Sequence, residues 1–171
     1  MTFMHYASCL KFNKDEAVKG SSAVGSGGVL RDDHGDWVMG FCNNMGTSNS
    51  LLAELTGIRT AVEFILDDNY PHVVIESDCL EAVNMISGSS PVAGAYGEIV
   101  DAIRRGISFH GNISCCFTPR EANLVADWLA IAALMFPFGT HRLTSPLRDC
   151  HRLILLDKGE GLSSLSVEPS A

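Results

Sequence analysis

No apolar run in this chain approaches the ~20 residues needed to cross a bilayer, and its first ten residues lack the basic flank and length of a secretory signal. A soluble intracellular protein, nuclear or cytoplasmic and with no membrane partner, is the expectation. The six cysteines, Cys9, Cys42, Cys79, Cys115, Cys116 and Cys150, lack CxxC spacing and a paired histidine motif. That excludes a recognisable zinc site or disulfide framework and leaves reduced thiols, mostly in the core. Positive charge is also scarce. A formal net charge of -8 argues against a broad basic surface that holds a polyanion. It does not exclude acids gathered around divalent cations, because bound ions dominate the local charge of such a site. The glycine-rich stretch Gly25-Ser26-Gly27-Gly28-Val29-Leu30 lacks the last glycine of a dinucleotide fingerprint and lies between turns instead of opening a helix. A nucleotide cofactor loop is excluded, and no internal repeat is present.

The 171 residues, 46% of them hydrophobic, suit one domain with a real core. Strands are expected at Phe12 to Ala17, Ala23 to Arg31 and Trp37 to Cys42, joined as an antiparallel meander by the turn-forming clusters Lys19 to Ser22 and Asp32 to Asp36. Glycines 25, 27 and 28 inside the second strand read either as a bulge or close crossing, or as bare backbone that a ligand can approach. Leu51, Leu55, Ile58, Val62 and Ile65 recur at helical spacing after the cap candidates Thr47 to Ser50. Val73-Val74-Ile75 then reads as a central strand covered on both faces, ending on Glu76-Ser77-Asp78. Helices follow at Cys79 to Ile86 and Tyr96 to Ile107, a strand at Ile113 to Phe117, and a helix from Leu124 to about Phe136. The regular domain is expected over residues 10–136. Residues 137–171 form a tail with a short helical piece at Leu153 to Leu156 and a frayed Ser-rich end.

The order is βββαβααβα, with an acid in the first strand (Asp15), in the first helix (Glu54), at the end of the fourth strand (Asp78) and in the last helix (Asp127). Asp78 alone could simply cap a helix, and Glu54 could simply favour a helix dipole. Four acids brought together would repel one another unless cations offset the repulsion. Carboxylate oxygens are hard ligands for Mg²⁺ or Mn²⁺, and two such ions ~3.5 to 4 Å apart suit in-line displacement at phosphorus.

Lys11-Phe12-Asn13-Lys14-Asp15, Gly27 to Asp32, Ala53-Glu54-Leu55, Ile75 to Asp78 and Arg120 to Asp127 together resemble the ribonuclease H-like family, most closely its plant, retroelement-related type 1 form. The resemblance covers about Leu10 to Phe136. It implies a three-layer α/β fold with a mixed five-stranded sheet and helices on both faces. It also implies cleavage of the RNA strand of an RNA–DNA hybrid, leaving a 3′-hydroxyl and a 5′-phosphate. By position, Asp15 would bridge two Mg²⁺ ions, with Mn²⁺ as an alternative. Asp127 would complete the site of the ion holding the attacking water, and Glu54 with Asp78 would hold the other. Substrate would be gripped along Gly25, Gly27 and Gly28, by Ser48, Asn49, Ser50, Asn84 and Asn123, and by Arg104 and Arg105 at phosphates. A monomer is expected, as a piece of a longer retroelement-type polypeptide. Two departures stand out: Glu16 replaces the glycine after the first aspartate, and Phe117 takes the place of the family's mobile histidine. They predict a slowed enzyme, and they keep open a non-catalytic module that binds nucleic acid or protein.

Overall fold

A computed structural model describes residues 10–20, 23–92, 94–119 and 124–159, and for 13–15 the backbone alone. Strands β1 (Leu10–Lys19), β2 (Ala23–Arg31) and β3 (Trp37–Thr47) form the expected meander. Helix α1 (Ser50–Asp67) follows, then β4 (Val73–Ser77), α2 (Leu80–Ser87), a single 3-10 turn, α3 (Gly97–His110), β5 (Ile113–Phe117) and α4 (Leu124–Ala133). Two more elements close the described chain: β6 (Gly139–Leu143) and α5 (Cys150–Asp157). The sheet order is β5-β4-β1-β2-β3-β6, parallel between β1 and β4 and between β4 and β5, antiparallel elsewhere.

Strand alternation divides the interior in two. Phe12, Leu30, Phe41 and Ile75 point to one face, where Leu55, Ile58 and Ile65 of α1 and Val100 and Ile103 of α3 complete the larger core. Val29 and Cys42, one residue away from Leu30 and Phe41, point to the other face and meet Val125, Ala126 and Leu129 of α4 and Cys150 of α5. Helices therefore cover both faces. Burial pushes the Cys42 thiol up to about 12 and that of Cys150 to about 11, so both stay neutral in the second core.

Two expectations need correction. The sheet has a sixth strand, because residues 139–143 pair with β3, with Cys42 beside His141. The segment expected to trail as a tail thus contributes a strand and a helix to the domain up to Asp157. Strand β4 is fully covered on one face only: Val73, Ile75 and Ser77 are buried, whereas Val74 and Glu76 are half-exposed. Helix α4 lies over β2 and its neighbours β1 and β3, the middle of the sheet. The apolar run Val73-Val74-Ile75 does not reveal that lateral offset.

Candidate active site

Four acids, Glu16, Glu54, Asp78 and Glu81, gather beyond the carboxyl end of β4. The parallel pair starts with Leu10 beside Val73 and reaches Asn13 beside Glu76. Asp15 lies two residues beyond the last paired position on β1, and Asp78 two residues beyond it on the β4 side. Asp15 also faces Gly27 across the antiparallel side of β1. Asp78 follows β4 directly; Cys79 takes the cap position of α2 without a side-chain bond, and the Ser77 hydroxyl accepts from the Cys79 N–H at 3.2 Å.

Helix α1 brings Glu54 to the same place. Its start is fixed by Asn49, whose side-chain oxygen accepts from the Leu52 N–H at 2.8 Å. That phase turns Glu54 inward, only 3% exposed, where its carboxylate accepts the Ser77 hydroxyl at 3.1 Å. Glu54 and Asp78 share the wall of a cavity of about 300 Å³ with Glu16, Ser50, Leu51, Cys79 and Glu81. Glu16 accepts a hydrogen bond from the Ser50 hydroxyl. The residue standing in place of the family's glycine therefore adds a carboxylate to the cavity itself. Asp127 comes from the opposite side: it is half-buried in the first turn of α4, on the other face of the sheet, and is not among the described residues lining the cavity.

Of the expected substrate contacts, Ser50 lines the cavity, Asn49 caps α1 and accepts the Tyr96 hydroxyl at 3.4 Å, and Ser48 lies just before them. Asn84 is half-exposed on α2, its carbonyl receiving the N–H groups of Gly88 and Ser89. Asn123 lies outside the described residues. Gly25, Gly27 and Gly28 are corrected, because their bare backbone is covered by the protein. A Cβ on Gly25 would meet the Ala130 oxygen and one on Gly27 the Ala130 nitrogen, each at 2.4 Å, while one on Gly28 would strike the Phe41 and Phe12 rings. They admit helix α4 and the aromatic core, not a ligand. Arg104 is corrected too: its guanidinium donates to the carbonyls of Met85 and Ile86 at the end of α2. Arg105 lines a separate groove between α1 and α3 with Arg59, Glu98 and Asp101.

Ser77 and Glu81 went unread in the sequence. Ser77 had a signal, since its spacing from Val73 and Ile75 puts it on the buried pleat, where a hydroxyl needs a partner. Phe117 ends β5 at 45% exposure, and no histidine is among the described residues lining the cavity. Asp32, Asp33 and His34 do bring ligand atoms within 4.8 Å of one another, but in the β2–β3 turn at the opposite end of the strands. Their geometry is that of the turn: Asp32 accepts from the N–H groups of His34 and Asp36, and His34 pairs with Asp33.

Sheet order and the placement of helices on both faces define a ribonuclease H-like α/β domain. The chain belongs to the reverse transcriptase-like family, whose model matches residues 13–133. An Arabidopsis thaliana protein named "Putative ribonuclease H protein" is 30% identical over 133 residues, 77% of this chain and 22% of that protein. The chain thus spans about a fifth of that relative's length. The crystal structure of RNase H1 from Halobacterium salinarum superposes with a TM-score of 0.68 at 21% identity, covering 74% of this chain and 98% of that one. LC11-RNase H1, solved in complex with RNA/DNA hybrid, gives 0.67 at 21% identity over 74% and 96%.

Proposed function

We propose that this protein is a metal-dependent endonuclease that cuts the RNA strand of RNA–DNA hybrids. The observation that carries the reading is Glu54, a carboxylate 3% exposed, on one cavity with Asp78. Burying one carboxylate beside others is unfavourable unless cations or hydrogen bonds offset it. The donors fit the group: four carboxylates, those of Glu16, Glu54, Asp78 and Glu81, line the cavity, and carboxylate oxygens suit hard divalent ions. Glu54 and Asp78 would hold Mg²⁺, or Mn²⁺ in its place, joined by Asp15 and Asp127 as the family resemblance implies. The chemistry supplied by two such bound ions is Lewis-acid polarisation of the scissile phosphate and acidification of the attacking water. The chain's own part is positional. Ser77 fixes the Glu54 carboxylate, and Asn49 sets the phase of α1 that turns Glu54 inward. At Phe117 a phenyl ring can move no proton, so product release lacks an acid–base group there. The relatives' names and the solved hybrid complex of a structural neighbour support the substrate class.

Glu16 in the cavity and Phe117 at its position favour a second reading, a binding module that does not cut. The two part in a cleavage assay on labelled hybrid, with duplex DNA and single-stranded RNA as controls. The expected outcome is Mg²⁺-dependent cleavage of hybrid alone, abolished by Asp78→Asn with the fold intact, because that change removes a ligand's charge at nearly constant volume. Hybrid binding without cleavage, at millimolar Mg²⁺ and Mn²⁺, would leave the binding module.

A further inference from the structure

Helix α5 lies beyond the 13–133 match, yet its last residue reaches the helix that carries Asp127. One Asp157 oxygen accepts the Leu124 N–H at 3.0 Å, and the other accepts the Val125 N–H at 3.1 Å. The second oxygen also receives the Arg31 guanidinium of β2 at 2.5 Å. Both ionic side chains are buried, 8% exposed for Arg31 and 2% for Asp157. The first described turn of α4 is thus capped by a carboxylate 32 and 33 positions further along the chain, pinned in turn to the sheet. Asp127 stands one turn on, three residues after Leu124.

We infer that Asp157 is a positioning residue for the site: through the two N–H groups it fixes the rotation and height of α4, and so the approach of Asp127 to the strand ends. The inference rests on the proposed function, since it assigns Asp157 the task of holding a metal ligand in place. The geometry is specific to it. A charged pair this buried is an uneconomical way to hold two helices together, because apolar residues of similar volume often serve as well or better. An anionic acceptor for two orphan helix donors is something apolar residues cannot supply.

Two variants test this. Asp157→Ala removes the acceptor, and Arg31→Met combined with Asp157→Leu also removes it while leaving no buried charge unpaired, so that a folded form is available. In each folded variant, the Mg²⁺ concentration for half-maximal hybrid cleavage should rise about tenfold or more, the range found when a group orienting a metal ligand is lost. Mn²⁺ binding by calorimetry should weaken in parallel. Amide exchange without metal should accelerate at Leu124 and Val125. Asp68→Ala, which removes the acceptor that ties Arg142 of β6 to the end of α1, should leave the metal requirement unchanged. A folded variant with wild-type metal requirement, or unchanged exchange at those amides, overturns the inference. A wild type that neither cleaves hybrid nor binds Mn²⁺ overturns the functional reading and the positioning role with it, and is told apart because it needs no variant.

Discussion

Glu16 lies next to Asp15 on β1, yet its side chain enters the cavity shared by Glu54 and Asp78 and is held there by Ser50. On the proposed function, an extra anion at that point would compete for the cations and narrow the space for a phosphate. Glu16→Gly is expected to raise the hybrid cleavage rate while lowering stability by roughly 0.5–1 kcal/mol, the usual effect of glycine inside a strand. Phe117→His is expected to raise the rate as well, by up to ~10², since it restores a group that exchanges protons near neutrality. Single-turnover kinetics beside urea unfolding separates the two effects. A Glu16→Gly protein that unfolds more readily and cuts no faster would show that Glu16 leaves the chemistry untouched.

Helix α4 can sit on β2 only because the strand lacks side chains beneath it. At Gly27 an added Cβ would come within 2.4 Å of the Ala130 nitrogen and 2.6 Å of the Leu129 carbonyl carbon, both backbone atoms that cannot rotate away. Gly27→Ala is therefore expected to lift α4 and cost about 1–3 kcal/mol, as overpacking of a close-packed interior does. The urea midpoint should fall with little change in slope. A midpoint within error of wild type would mean that α4 slides on the sheet freely. The glycines were visible in the sequence as candidates for a close crossing, but which element crosses them depends on a helix starting about a hundred residues later.

For the molecule as a whole, the second core sets an alkaline limit. Cys42 and Cys150 are raised by burial from 9.0 to about 12 and about 11. The unfolded chain then loses these protons first, so stability is fully present below pH 9 and falls as pH climbs towards 12. Urea unfolding should show this decline, and Cys42→Ala with Cys150→Ala should flatten it from a lower starting stability. An equal decline in wild type and double variant would exclude the thiols as its source. The sequence by itself determined the element order up to Ala133 and the amphipathic phase of α1, because hydrophobic period and turn chemistry are local properties. Only tertiary structure decided what those residues meet. It laid α4 on Gly25 and Gly27, tied Arg104 to the end of α2 and paired residues 139–143 with β3. It also turned Glu16 into the cavity and set Asp157 against the start of α4. Each of these depends on the register and packing of segments distant in sequence, and no local pattern encodes which partner a face, a strand edge or a buried charge will find.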